Sequence, residues 1–356
     1  MDEKTILFLK NVFKRYYFKN SHRIIFPSYI AEREFGYMDF EGSMIRHFSF
    51  KNEGELIAEI LKQGPASVFC SNARYENPSL PIEEKGWKGA ELIFDIDSDQ
   101  IETGCRKSHD FWYCTKCYSH GSTPIPQACS KCANNITKIT GRCNICIDAA
   151  FQHANKVVSI LEEDFGVDRK EIKIYFSGNR GFHIHVFDKR FFSLNQDARL
   201  EIAMYISGES LPPAKSLALQ MRAKEGAYNS GWLKRISEYM RTADSRANKA
   251  KLVTITLRKL VPKIDHHVTS DVHRIFRMAG TLHNKTGFLK VEVRGDDFDP
   301  NYEPVVLEED KVKIKVRFYP SFSLRGENFG PFKDEVATIP FYAAVPILAN
   351  GLGEVS

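Results

Sequence analysis

Asp95 and Asp97 close the segment ELIFDID, residues 91–97. Side chains alternate along a strand, so the two carboxylates share a face with their Cα atoms about 6 to 7 Å apart. Like charges that close suppress each other's ionisation, and a divalent cation between them removes the conflict. A second pattern is SGNRGFHIHV, residues 177–186. Gly178 and Gly181 leave backbone N–H groups accessible around Arg180, with Ser177 and His183 on the polar face of the flanking strands. Hydroxyl, guanidinium and amides make a phosphate cradle, although an ordinary tight turn with surface side chains accounts for the same residues. A third acid, Asp265, sits in VPKIDHHVT beside Lys263 and His267, and Arg274, Arg277, His283 and Lys285 crowd the stretch after it. Three strand-borne carboxylates, a Ser/Arg/His turn and a basic loop are the components of two-metal phosphoryl transfer.

Cysteine spacing points to a second chemistry. Seven of the eight cysteines lie between Cys105 and Cys146, and six of them form the pairs CTKC, CSKC and CNIC. The N-terminus carries acids where a secretion signal needs basic residues, so the thiols are expected to stay reduced and to ligate metal rather than form disulfides. A C-x2-C pair presents two sulfurs to one tetrahedral zinc ion. Cys114, Cys117, Cys129 and Cys132 have zinc-ribbon spacing. Sequential pairing of the first four ligands and of the last four fits the spacing as well. Four protein ligands leave no open position for water, so either arrangement makes the zinc structural. Cys70, in an apolar strand, reads as a buried thiol.

The elements that must position these residues follow from periodicity. Ile6, Leu9, Val12, Phe13, Tyr16 and Tyr17 recur at helical spacing near the start. MIRHFSF and ASVFCS read as short strands leading to ELIFDID. Residues 148–166 read as a helix ending at Gly166. Ile172, Ile174 and Phe176, then Phe182, Ile184 and Val186, alternate with polar residues around GNRG, which predicts a hairpin. Residues from about 195 to 250 read as mostly helical, VPKIDHHVT as extended, and the C-terminal part as short strands with loops. The 356 residues, 43% hydrophobic, are enough to bury a proper core. The longest apolar run near the C-terminus, FYAAVPILA, is too short to span a bilayer. An intracellular chain with no membrane anchor is expected. The net charge of +5 does not by itself mark a nucleic-acid binder, but Leu211 to Lys263 holds 12 Lys/Arg against 3 Asp/Glu. That excess is read as a template or partner contact, against the alternative of a solvated helical face.

ELIFDID, SGNRGFHIHV and IDHHVTSDVHRIFRMAGTLHNKTG, in this order, closely resemble the small catalytic subunit of the archaeal and eukaryotic primase. REF and IRHFSF near the start, EEDFG, and FSLRGENF through FYAAVPILANGLGE extend the likeness along nearly the whole chain. The resemblance implies an α/β (α+β) primase-type catalytic domain, with a mixed sheet flanked by helices, a zinc-binding insertion and a small helical subdomain. Its parts fall at 1–104 and 147–190 for the catalytic domain, 105–146 for the insertion, 191–258 for the helical subdomain, and 259–356 for the catalytic C-terminal part. It implies that Asp95, Asp97 and Asp265 hold two Mg2+ or Mn2+ ions and that Ser177, Gly178, Arg180, Gly181 and His183 grip a nucleoside triphosphate. Arg277 and His283 fall where the family places further phosphate or sugar contacts, with Arg46, Arg74 and Lys85 bordering that pocket. His185 has no implied role and reads as structural. The family's zinc knuckle ends in a CxxC pair matched by Cys143 and Cys146, with Cys105 and His109 upstream. The favoured reading is two zinc ions, the ribbon nested inside this knuckle. The implied activity is primer synthesis on single-stranded DNA from NTPs, with dNTPs as the other option, and with a large subunit as heterodimeric partner; the expected location is cytoplasmic or nucleoid, and nuclear in a eukaryote. A primase-like repair or mobile-element polymerase, and a non-catalytic zinc-ribbon nucleic-acid binder, remain the alternatives.

Overall fold

The structure, a computed structural model, describes residues 1–223, 230–241 and 249–356. Its strands divide among several small sheets packed with helices into an α/β fold. Two four-stranded sheets bear Asp95, Asp97, His183, Arg46 and Arg277. One has the order Ile275–Arg277, Ser67–Ser71, Phe35–Met38, Met44–Phe48; the other has Val291–Val293, Ile172–Phe176, Gly181–Val186, Leu92–Asp97. The resemblance implies a mixed sheet, but every strand pairing among the described residues is antiparallel. Parallel neighbours need long crossovers, whereas the strands at 172–176 and 181–186 are joined by four residues.

The second sheet buries one face under the helix Asn144–Phe165, whose Phe151, Ala154, Val157, Val158 and Leu161 pack on Phe94, Ile96, Phe182 and Ile184. Each such fully buried large side chain contributes about 1.5–3 kcal/mol. The helix stops at Gly166, left-handed at φ 61°, where the chain turns back into the hairpin. Helices Gln196–Ile206, Ala214–Ala223, Gly231–Arg241 and Lys249–Leu260 extend this core. The basic stretch 211–263 falls largely on them, and its residues 224–229 and 242–248 lie outside the described residues. Arg199, fully buried, donates to the carbonyls of Glu91 at 3.0 Å and Leu194 at 2.9 Å, anchoring the start of the Asp95 strand.

A separate core gathers the opening helix Glu3–Asn20, the first sheet and a three-stranded C-terminal sheet. The opening helix is capped by Asp2, which accepts from the Thr5 amide at 2.6 Å. FYAAVPILA forms the helix Phe341–Ala349, not a strand, and nearly all of it is buried. No helix among the described residues is long and apolar enough to cross a membrane. The cysteine-rich segment folds around its own three-stranded sheet, His120–Ser122, Asp110–Cys114, Ile136–Thr140.

Candidate active site and metal centres

The face of the second sheet away from the helix Asn144–Phe165 turns toward the first, His183 and His185 packing edge-on against Phe276. Register sets Asp95 opposite His183 and Asp97 opposite Gly181, with Tyr175 beyond His183. His183 Nε2 lies 3.5 Å from an Asp95 carboxylate oxygen. Asp265 joins them from a distant part of the chain, its amide donating to the Asp95 carbonyl at 3.1 Å. VPKIDHHVT is not wholly extended: Asp265 caps the short helix His266–Ser270, accepting from the amides of His267 and Val268 at 2.9 and 3.2 Å.

Burial, then the charges of Asp97 and Asp265, push the Asp95 carboxyl up to about 7, against the opposing pull of Lys290 and Arg274. Asp97 is raised as well, chiefly by burial. Carboxylates crowded this way are short of positive charge, the condition that a bound cation relieves. When ionised, both offer only acceptor oxygens, which suits hard divalent ions. Among the described residues, the groups whose ligand atoms all lie within 4.8 Å are two cysteine clusters, so the three aspartates converge less tightly.

The Ser177–His183 turn is tied within itself and to the stretch after Asp265. The Gly181 amide donates to Ser177 Oγ at 3.2 Å, Thr286 Oγ1 donates to the Gly178 carbonyl at 2.8 Å, and Arg277 donates to the Ser177 carbonyl. Gly178 is left-handed at φ 75°, and a Cβ on Gly181 would sit 2.7 Å from the Ile96 carbonyl, so this glycine lets the Asp95 strand approach. Arg277 keeps Nη1 buried without a partner, and His283 stands with Nδ1 facing the amides of Lys285 and Thr286. Burial holds both His183 and His283 well below the usual histidine range.

The other cations behave differently. Arg180 is not a free cation: it is 2% exposed and pairs with Asp99 and, at 3.1 Å, with Asp110. Arg46 and Lys85 converge on the buried Glu34, at 2.9 and 3.2 Å. Arg74 diverges from them, pairing with Glu32 at 2.6 Å over the Tyr29 ring.

The thiols form two nested clusters, Cys105, His109, Cys143 and Cys146, and within that span Cys114, Cys117, Cys129 and Cys132. Sulfur–sulfur distances run from 3.4 to 3.6 Å, close to the roughly 3.8 Å edge of a tetrahedron with 2.3 Å zinc–sulfur bonds. His109 Nδ1 donates to Asp110 at 2.9 Å, which leaves Nε2 bare toward Cys146 Sγ at 3.4 Å. A carboxylate behind a histidine is the usual support of a metal ligand.

A family model described as DNA primase small subunit matches residues 128–294. The DNA primase small subunit PriS of Cenarchaeum symbiosum is 36% identical, with 99% of each chain covered. The chain belongs to the DNA primase small subunit family. The corresponding protein of Nitrosopumilus maritimus is 34% identical over the full length of both chains, and that of Thermoplasma acidophilum 35% over 82% of each. The part matched by the primase family model contains the Ser177–His183 turn, Asp265, Arg277 and His283, while the strand with Asp95 and Asp97 lies before it.

In this primase small subunit, several residues of the cleft escape a reading of motifs. Lys290, 1% exposed, places Nζ 2.9 Å from both His183 Nδ1 and the Arg277 carbonyl. Burial pushes its ammonium well below the usual lysine range, Arg277 adds to this, and Asp95 opposes it. Glu34, Asp99 and Asp110 complete the cation contacts. One signal was legible: Lys290 interrupts the apolar run of GFLKVEV, as Asp95 interrupts ELIFDID.

Proposed function

We propose that this chain is the catalytic subunit that synthesises short primers on single-stranded DNA from nucleoside triphosphates, by two-metal-ion nucleotidyl transfer. The observation that supports this most directly is the approach of Asp265 to Asp95 beside the His183 turn, since it joins three distant segments into one acidic cluster with donors beside it.

Asp95, Asp97 and Asp265 would hold Mg2+ or Mn2+. Such ions, when bound, lower the pKa of the primer 3′-hydroxyl and neutralise charge on the leaving pyrophosphate. The chain's own part is positioning. His183, His283 and the unpartnered Nη1 of Arg277 offer donors to phosphate oxygens, stabilising negative charge as the in-line displacement proceeds. Arg180 would contribute by exchanging one of its carboxylate partners for a phosphate, and Arg46 with Lys85 would border the site through Glu34. Zinc is the ion proposed for both thiol clusters, in a structural role. A large subunit is the proposed partner, supported by the small-subunit name of the relatives.

The test is Mn2+-dependent incorporation of labelled nucleotide on a single-stranded template. Asp95→Ala or Asp97→Ala should abolish it while zinc content and folding persist. Incorporation that survives either change refutes the metal-site assignment, and a zinc-ribbon binder without activity would show none in the wild type.

A further inference from the structure

Two imidazoles in the cleft are oriented by what lies behind them. His283 Nδ1 is 3.2 Å from the Lys285 amide and 3.3 Å from the Thr286 amide. A backbone N–H only donates, so Nδ1 accepts and the ring proton sits on Nε2. His183 meets the same constraint from a side chain. Its Nδ1 is 2.9 Å from Lys290 Nζ, which also donates to the Arg277 carbonyl at 2.9 Å. As an ammonium, Nζ has only hydrogens to offer Nδ1 once that carbonyl is served; as a neutral amine it keeps a lone pair as well, and the contact at Nε2 then selects between the two tautomers. On the opposite side, Nε2 faces the Asp95 carboxylate at 3.5 Å, a group that accepts when ionised. A doubly protonated ring would set an N–H against the lysine donor. Both neighbours therefore favour one form, Nδ1 bare and Nε2 protonated.

We propose that Lys290 is a positioning residue that holds His183 in the Nε2–H tautomer, so that the imidazole presents a donor on the side of Asp95. What the donor serves rests on the polymerase reading above; the tautomer follows from the two contacts alone. With the proton on Nδ1 instead, His183 would aim a lone pair at phosphate oxygens, and the hydrogen bond would be lost. Lys290 is well placed to enforce this. It directly precedes the strand Val291–Val293, which pairs with the hairpin, and its Nζ sits 5.1 Å from the Tyr175 ring centre. His183 and His283 then act alike, one locked by a lysine and the other by backbone amides.

Long-range 1H–15N correlation spectra of the full chain labelled with [15N]histidine read the tautomer directly, with His183→Asn assigning the signals. The wild type should show His183 as Nε2–H alone. Lys290→Met, close in length and without a donor, should shift the ring toward Nδ1–H and raise KM for the nucleoside triphosphate about tenfold or more, the worth of one charge-assisted hydrogen bond. Lys290→Arg restores a donor and should restore the wild-type tautomer. A folded Lys290→Met protein that stays purely Nε2–H overturns the proposal. So does a wild-type spectrum with Nδ1–H, which decides the matter even if the Met variant does not fold. A wild type that shows the stated tautomer but incorporates no nucleotide would sink the polymerase reading and leave this assignment standing.

Discussion

Asp95→Asn isolates the electrostatic cost of the acidic cluster. Unfolded, the carboxyl titrates near 3.8; folded and without divalent ions, it titrates at about 7. A group whose folded pKa is raised keeps its full stability below the unfolded value and loses it as pH rises through the folded one. The window is therefore pH 4 to 7. At about 1.4 kcal/mol for each pH unit, the folded protein loses up to about 4 kcal/mol across it. The side chain is 29% exposed, so solvent screening makes this figure a ceiling. The asparagine variant carries no such penalty. Zinc-replete protein dialysed free of Mg2+ and Mn2+ should then unfold in urea with the variant more stable by about 2–4 kcal/mol at pH 8 and equal near pH 4. Added Mn2+ should stabilise the wild type at pH 8 and the variant much less. Parallel pH curves for the two proteins, or equal gains from Mn2+, would refute the claim that Asp95 is held short of positive charge.

Two further outcomes can be checked. Glu34→Gln leaves Arg46 and Lys85 facing each other around a neutral amide and should cost about 3–5 kcal/mol at pH 7. Arg46 and Lys85 outweigh burial to lower the Glu34 carboxyl, so the difference should shrink as pH falls through its titration, and a loss below about 1 kcal/mol would show the pair to be dispensable. Cys129→Ser and Cys143→Ser should each reduce bound metal from two ions per chain to one, by elemental analysis; if either change emptied both sites, the nested clusters would not be independent.

The hairpin was legible because strict alternation of Ile172, Ile174 and Phe176 with polar residues leaves one register that buries the apolar set. The helix Asn144–Phe165 was legible for a similar reason, an apolar stripe ending in glycine. The helix Phe341–Ala349 was not, since a segment buried on all sides carries no period and Pro346 argues against a helix. The helix capped by Asp265 is five residues long, too short for periodicity to register. Within the site, residue types were readable but partners were not. Arg180 reads as a free cation because Asp99 and Asp110 lie 81 and 70 residues away in sequence, and Lys290 meets His183 across 107 residues.

Asp110 serves two neighbours at once, accepting from His109 on one side and from Arg180 on the other. Oxidising or stripping the thiols around His109 would release that imidazole, and the carboxylate would then be free to swing with the guanidinium or to let it go. Oxidative damage to these cysteines would thus reach the Ser177–His183 turn through a single shared oxygen.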